Sequence, residues 1–317
     1  MRSEVVFYAF KRLAIFPIYF LVFSILIFSV VMYAPGDPVD IIAGPTASEE
    51  TRQLISKEYG FDRPVYEQYI SYMGDFMRLD FGNSLRFSDR SVGELLWERV
   101  QVSAPLGLVA SVIGVFLGIL VGLFATFKRG TWLDTVLLSG FLVFAAIPSL
   151  LLIQFFILLF SLKLGWLPAG WQGGWEGIFT TSAIIPILTL SLVGVVGMAR
   201  FIRTITLGIM DEQYVRTAKA KGLHPAKIAT RYVLRNAWLP LMTVLIPIFF
   251  TFFEGSFFVE QIYGIPGLAR FTIDSVFGRD YPVILAVGIL GSMLSIFTIL
   301  VVDILYFVAD PRVSLKR

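Results

Sequence analysis

Long apolar stretches, separated by polar connections, run through most of the chain. Six of them approach or exceed the roughly 20 residues that a helix needs to cross the hydrocarbon core of a bilayer. They lie at about 13–34, 102–127, 133–161, 183–200, 237–258 and 283–308. The pattern therefore predicts an all-α integral membrane protein with six transmembrane helices.

Prolines and glycines within these spans favour a packed bundle. The prolines within spans or at their ends are Pro17, Pro148, Pro186, Pro240 and Pro247. Because proline removes a backbone donor, the freed carbonyl needs a partner in a neighbouring helix. The second span carries Gly114, Gly118 and Gly122, four residues apart, a spacing that lets helices approach closely. We interpret this stripe as a packing feature.

Composition agrees with a membrane protein. The 317 residues are 56% hydrophobic with a mean hydropathy of +0.78, and 15% are charged, against roughly 25% in soluble domains. The chain has no cysteine and only one histidine, His224, which excludes disulfides, thiolate metal sites and multi-histidine metal sites. The net charge of +3 does not indicate nucleic acid as a partner. We expect no metal or cofactor on this chain.

Lysine and arginine concentrate in connections that fall on one side of a six-span protein. The N-terminus, residues 128–129 and the C-terminal tail are basic, and the 200–236 connection holds eight basic residues. The 35–101 segment holds seven basic and twelve acidic residues. Because cytoplasmic loops are enriched in lysine and arginine, both termini are predicted to be cytoplasmic and 35–101 extracytoplasmic.

These assignments divide the chain into four parts. Residues 1–34 form a cytoplasmic N-terminus and the first span, which we interpret as a retained anchor. The others are an extracytoplasmic insertion at 35–101, a core of five spans at 102–308 with a cytoplasmic loop at 201–236, and a cytoplasmic tail at 309–317.

The insertion is predicted to be helical. One helical stripe holds Val65, Tyr69, Tyr72, Met73 and Phe76. It follows Pro64, which suits a first helical turn, and Ser91 with Glu94 has the spacing of a capping box. The stripe fits packing on the bundle or on the membrane surface. A docking face for an external partner is the compatible alternative.

Two residues of the fifth span are candidates for a translocation path, the carboxylate Glu254 and the nearby Pro247. An ionisable group in or near a span is a functional hypothesis by default. Glu254 is therefore a candidate to line a substrate path or carry a proton, and a place at the outer interface is the alternative. Asp303, near the inner end of the last span, is expected to pair with a basic residue.

Enzyme signatures are missing from the sequence. There is no GxxxxGK phosphate loop ending in Ser or Thr, no HExxH and no GxSxG elbow. We therefore expect a transport subunit without an ATPase site or catalytic residues of its own. His224, followed by Pro225, is expected to start a helix.

The most basic connection has the geometry of a docking element. Residues 212–240 read EQYVRTAKAKGLHPAKIATRYVLRNAWLP, with helical spacing broken once by GLHP. This predicts a short helix with Tyr214, Val215 and Ala218 on one stripe, a tight turn at Gly222 and a second helix that runs into the fifth span. A loop that only obeys the positive-inside rule needs no such turn. The candidate docking residues are Glu212, Tyr214, Val215, Arg216, Thr217, Ala218, Ala220, Gly222, Leu223 and Pro240.

This stretch resembles the cytoplasmic EAA loop of ABC-importer permeases, in the form found in the dipeptide/oligopeptide/nickel branch. That form reads like YVRTARAKG and later RNA with a proline, and here the chain has YVRTAKAKG and RNAWLP. Where the general loop has Glu-Ala-Ala, this chain has Arg216, Thr217 and Ala218, a departure typical of the branch. Further similar stretches are YGFDRPVYEQYISYMGDFMRLDFGNSL, KRGTWLD, IPS, LGWLPAGW, VEQIYGIPGLARFTIDSVFGRDYPV and DPR, and the single long outer insertion is similar to the B-type subunit.

The resemblance implies a type I ABC importer permease fold in a prokaryotic cell membrane. It implies a heterodimer with a second homologous permease, two cytoplasmic ATPase subunits that bind ATP and Mg²⁺, and an extracytoplasmic substrate-binding protein. The helix before Gly222 would be the coupling helix, seated in a groove of the ATPase. The implied cargo is a di- or oligopeptide, with oligosaccharides and nickel chelates as alternatives in the same architecture.

Two other classes stay open on the sequence. A proton-coupled secondary transporter would use Glu254 and work without ATPase subunits, although no inverted repeat is visible. A scaffold or sensor without transport would fail to recover ATPase subunits in a pull-down.

Overall fold

The computed structural model describes most of the chain. The described residues are 2–33, 38–44, 47–58, 60–87, 90–251 and 255–309. Within these ranges the chain consists of helices and connecting loops, and the one extended pairing is an isolated bridge between Asn83 and Ser91. The prediction of an all-α protein is confirmed for these residues.

The helices follow in this order along the chain. They are α1 (Arg2–Met32), α2 (Pro38–Ala43), α3 (Glu49–Glu58), α4 (Val65–Phe76), α5 (Val92–Phe127), α6 (Trp132–Ala146), α7 (Ser149–Phe156) continued by a π-helix (Ile157–Lys163), α8 (Ile184–Met210), α9 (Gln213–Ala220), α10 (Pro225–Lys227) continued by a second π-helix (Ile228–Leu234), α11 (Arg235–Thr251), α12 (Phe257–Tyr263), α13 (Leu268–Phe277) and α14 (Tyr281–Ala309). Short 3₁₀ turns cover Trp175–Phe179 and Thr181–Ala183.

Four of the described helices are long and apolar enough to cross a membrane. These segments are Arg12–Met32, Val92–Phe127, Thr181–Met210 and Tyr281–Leu305. They correspond to the first, second, fourth and sixth predicted spans.

The third predicted span is divided into two helices, and the described part of the fifth ends at Thr251. α6 ends at Ala146, Ile147 is extended, and α7 begins at Ser149. Pro148 explains the break, because it lacks a backbone donor and disfavours helical conformation in the residue before it. α11 has 17 residues and ends at Thr251, and 252–254 lie outside the described residues.

α5 starts earlier than the predicted span. Its N-cap is Ser91, whose Oγ accepts a hydrogen bond from the Glu94 N–H at 3.2 Å, as the spacing of these two residues predicts. The helix then runs unbroken for 36 residues through Pro105. Residues 92–101, which the sequence pattern assigned to the insertion, are therefore continuous with the spanning helix.

Two helix pairs organise the bundle. α5 packs along α8 through the glycine stripe, where Gly114 faces Gly194, so the interpretation of the stripe as a packing feature is confirmed. α1 packs against α14, and near their ends Arg12 pairs with Asp303 at 3.1 Å. The expected basic partner of Asp303 is therefore present.

The insertion helix α4 lies on the α1–α14 pair. Its predicted stripe faces inward, and Tyr69, Tyr72 and Phe76 pack among aromatic and aliphatic residues of α1 and α14. The hydroxyls of Tyr69 and the fully buried Ser24 lie 2.8 Å apart. Packing on the bundle is confirmed for this face, and Pro64 takes the N-cap position just before the helix.

Candidate functional site

α9 has one face packed against the protein and another in solvent. Val215 and Ala218, three residues apart, are 0% and 3% exposed and pack into an apolar cluster with Ile202 of α8 and Val233. Tyr214, predicted to share their stripe, is 40% exposed. The stripe prediction is therefore wrong for Tyr214, because a short helix lying on a surface has a narrow inward face.

The other candidate docking residues lie around this helix. Glu212 is the N-cap residue, and its carbonyl accepts the N–H groups of Val215 and Arg216, each at 3.1 Å. Arg216, Thr217 and Ala220 are exposed, with the Thr217 hydroxyl turned back onto the Gln213 carbonyl at 3.0 Å. The outward face therefore consists of side chains that are free to contact another protein.

The turn at Gly222 fixes the end of α9. Gly222 has a φ of +71°, a left-handed conformation that favours glycine. Its N–H donates to the Lys219 carbonyl at 2.9 Å, and the Leu223 N–H reaches the Ala218 carbonyl at 3.3 Å. These two bonds form a Schellman motif. Leu223 is half-buried against the same apolar cluster as α9.

The chain then re-enters a helix at once and stays helical up to Thr251. His224 caps α10 by accepting the Ala226 N–H on Nδ1 at 3.3 Å, so its predicted role as a helix start is confirmed. The second π-helix buries Ile228 and Val233 and leads directly into α11. Pro240, the last candidate docking residue, lies half-buried inside α11 rather than on the α9 surface.

The outward surface of this region is basic. Its exposed basic residues are Arg216, Lys219, Lys221, Lys227, Arg231 and Arg235. A positive surface with one exposed tyrosine is electrostatically suited to a protein partner with acidic groups.

α8, which leads into α9, is fastened to the start of α6. Arg203 donates to both carboxylate oxygens of Asp134, Nε at 3.0 Å and Nη2 at 2.9 Å, and the Gly130 N–H adds a bond at 3.2 Å. Asp134 is 5% exposed. Bidentate arginine–carboxylate pairs of this kind are strong and fix geometry, so α6 and α8 are held together beside α9.

A cavity of about 300 Å³ lies within the bundle, and no residue of α9 lines it. Its lining is mostly apolar and comes from α5, α8, α11 and the start of α12. The polar members are Ser103, Ser111, Ser256 and Glu260. Among the described residues no group of three or more His, Asp or Glu could hold a metal ion.

Glu260 connects this cavity to α13. The carboxylate is 1% exposed and accepts the Ser103 hydroxyl at 2.7 Å and the Arg270 N–H at 2.9 Å. Ser103 in turn accepts the Leu268 N–H at 2.7 Å. Burial raises the pKa of Glu260, and its hydrogen bonds oppose that rise. Together the two side chains satisfy the first turn of α13.

Of the two residues predicted to line a translocation path, only Pro247 belongs to the described residues. Glu254 lies outside the described residues. Pro247 lies half-buried in α11, next to Ile248, which lines the cavity. Sequence reasoning passed over Glu260, although its place six residues ahead of the Pro266–Gly267 turn was a usable sign. Such turns often precede helices whose first N–H groups need capping.

The chain is similar to a known protein family over most of its length. A family model described as binding-protein-dependent transport system inner membrane component matches residues 114–315, and the model of its N-terminal region matches 5–88. The oligopeptide transport system permease protein of Haemophilus influenzae is 34% identical over 286 residues, covering 90% of this chain and 92% of that protein. The glutathione transport system permease protein of Escherichia coli K12 is 36% identical over 314 residues, covering 98% of this chain and 99% of that protein.

These matches cover the bundle, the insertion and the α9 region alike. With the apolar spans, they establish a multi-pass protein of the prokaryotic inner membrane. The chain belongs to the family of binding-protein-dependent transport system inner membrane components, the permease subunits of ABC transporters.

Proposed function

We propose that this chain is the B-type permease of an ATP-driven importer and forms half of the translocation path for di- or oligopeptides. The proposal rests on the structure of α9. Val215 and Ala218 anchor this helix to the bundle, and its outer face is basic and lies next to the turn at Gly222. The named relatives support the cargo, since one is an oligopeptide permease and the other handles glutathione, itself a small peptide.

In the assembled transporter, α9 and both termini face the cytoplasm. The chain crosses the membrane six times, with the third crossing bent at Pro148, and the insertion lies outside. A second homologous permease completes the path, and two ATPase subunits bind ATP with Mg²⁺, so this chain needs no ATPase site. An extracytoplasmic binding protein delivers the cargo.

Two connections would carry motion from the ATPase into the bundle. Movement of α9 reaches α11 through α10 and the second π-helix, which form one helical run. It reaches α6 through α8 and the Arg203–Asp134 pair. The cavity lies between α5, α8 and α11, so relative movement of these helices would change its shape. The cavity is therefore our candidate for part of the substrate path.

A substitution series at Gly222 tests the proposal. No atom lies within 4 Å of a Cβ placed there, so a side chain disturbs only the left-handed backbone, at roughly 1–2 kcal/mol for ordinary residues. Peptide uptake should fall in the order Gly, Asn, Ala, Val, because asparagine tolerates this conformation best. Gly222→Val should lower ATP-driven uptake by about tenfold or more while membrane insertion is kept.

Uptake is measured in vesicles that contain both permeases and the ATPases, with binding protein outside. Gly208→Ala is the matched control, since this glycine lies in α8, has no atom within 4 Å of its Cβ position, and is not in a left-handed turn. Full uptake by Gly222→Val would contradict the coupling role of α9. Uptake by this chain alone under a pH gradient would favour the secondary transporter. Uptake of oligosaccharides or nickel chelates instead of peptides would change the cargo only.

A further inference from the structure

A pocket lined by three arginines lies at the opposite end of the bundle from α9. Arg86 precedes α5, Arg99 belongs to α5 and Arg270 to α13, and they surround a cavity of about 250 Å³. Leu123 of α5 packs in the apolar cluster beside α9. At 1.5 Å per residue, Arg99 lies about 36 Å from it along the helix. This distance is on the order of a bilayer's thickness, so the pocket and α9 lie at opposite membrane faces.

Contacts within the chain satisfy these arginines only in part. Arg86 Nη1 donates to the Asp274 carbonyl at 3.2 Å, and Arg270 Nε lies 3.6 Å from the Asp274 carboxylate. Arg99 Nη1 donates to the Pro266 carbonyl at 3.4 Å, and its guanidinium lies over the Phe271 ring at 5.3 Å. Arg99 Nε is buried and has no hydrogen-bond partner among the described residues.

The charge and size of the pocket indicate its ligand. Its lining contains three arginines and one acid, Asp274, while the nearby Glu98 is engaged by Arg90 at 2.6 Å. Guanidinium groups match the planar shape of a carboxylate. Small-molecule sites usually measure roughly 300–1,000 Å³, so this smaller pocket suits one acidic side chain better than a whole peptide.

The pocket also lies next to the cavity within the bundle, because two of its residues adjoin Glu260, which lines that cavity. Arg270 lines the pocket with its side chain and donates its N–H to Glu260. Gly267 lines it too, and a Cβ there would lie 2.4 Å from the Glu260 carboxyl carbon. A group bound in the pocket would therefore contact Arg270 and Gly267, which adjoin Glu260 of the cavity lining.

We propose that this arginine pocket receives an aspartate or glutamate side chain of the extracytoplasmic binding protein when that protein docks. The inference rests on the proposed function, which supplies a protein partner at this face. Docking would thereby act on α13 and Glu260, next to the cavity that the cargo has to enter.

The test measures the affinity of the purified binding protein for the complete transporter in nanodiscs. Arg99→Gln and Arg270→Gln should each weaken binding by about tenfold or more, because a charge-assisted contact is lost. They should also reduce the dependence of the affinity on salt. Arg78→Gln is the matched control, since it removes one exposed outer charge outside the pocket. Arg99→Lys, which keeps the charge, should lose less affinity than Arg99→Gln.

The outcomes separate the two proposals. Equal affinity of Arg270→Gln and Arg78→Gln, with ATPase assembly intact, would overturn the docking pocket and leave the importer standing. A wild-type complex that recruits neither ATPase nor binding protein would overturn the importer itself, and the docking pocket with it. Millimolar succinate that raises the melting temperature of the wild type but not of Arg99→Gln, without displacing the binding protein, would assign the pocket to a free anion and overturn docking.

Discussion

Glu260 illustrates how a single residue can tie together separate parts of this molecule. It belongs to α12, lines the central cavity and accepts hydrogen bonds from α5 and from the first turn of α13. Hydroxyl and backbone donors stabilise a buried carboxylate, but they do not fully replace water. Burial therefore outweighs them, and the pKa of Glu260 lies above its ordinary value.

This shift predicts a pH dependence of stability. The folded protein holds the Glu260 proton more tightly than the unfolded chain, so stability falls as the pH rises from the ordinary value of 4.5 through the raised pKa. Below 4.5 both states are protonated and the effect levels off. We expect the melting temperature in nanodiscs to rise on acidification within this window, and Glu260→Gln to remove most of that rise.

Exposed Glu67 of α4 supplies the control for this measurement. Glu67→Gln removes a carboxylate as well, but an exposed one, so the comparison of the two variants isolates the effect of burial. If Glu260→Gln and the wild type show the same slope, burial of a titrating Glu260 is refuted.

The choice between two nearby carboxylates shows what a sequence can reveal about single residues. Hydropathy selects Glu254 because it interrupts a long apolar run, whereas Glu260 follows that run and looks like a loop residue. Burial of Glu260 depends on Ser103, which lies 157 residues away in the sequence. Hydropathy along the chain cannot register such a tertiary environment.

At the scale of elements, the contact between α5 and α8 predicts a sharp contrast between glycines. A Cβ at Gly122 would lie 2.6 Å from the Ala199 carbonyl oxygen, whereas at Gly197 in α8 no atom lies within 4 Å. Gly122→Ala should destabilise by about 1–3 kcal/mol through overpacking. Gly197→Ala should be neutral or stabilising by up to about 1 kcal/mol, because alanine favours helix.

Thermal unfolding of the purified chain in one detergent measures both variants. A loss of about 2–4 °C per kcal/mol is expected for Gly122→Ala. Equal melting temperatures for the two variants would show that the helices are not held at this close approach.

Helices were predictable where a periodic or apolar pattern was long. They were less predictable where a proline or a change of hydrogen-bond register altered the helix. The spans that became α5, α8 and α14 and the amphipathic face of α4 follow from hydropathy and spacing. Pro148 was visible in the sequence, but a proline within a span can either kink the helix or end it, so the pattern did not show that α6 stops at Ala146. The two π-helices left no sign in the sequence pattern, because a π-helix differs from an α-helix only in hydrogen-bond register.

At the scale of the whole molecule, the sequence predicts the α9 region at one end of the bundle but not the arginine pocket at the other. The α9 region is contiguous, so its helix, turn and second helix could be predicted from 212–240 alone. The arginine pocket combines residues 86, 99 and 270. In the sequence these arginines are three scattered charges, and only the packing of α13 against the start of α5 brings them together.

The absence of cysteine allows the orientation of the molecule to be tested directly. Ala220 ends α9 and Gln53 lies on α3 of the insertion, and both are exposed. A membrane-impermeant thiol reagent should label Gln53→Cys in intact spheroplasts. In spheroplasts without the partner ATPases, which would cover α9, it should label Ala220→Cys only after the membrane is permeabilised, because lysine- and arginine-rich connections stay in the cytoplasm. Ala125→Cys, at a position 0% exposed, should stay unlabelled in both conditions. Labelling of Ala220→Cys in intact spheroplasts would show that the predicted orientation is reversed. α9 would then lie on the side opposite the ATPases, and the arginine pocket could not meet an extracytoplasmic protein.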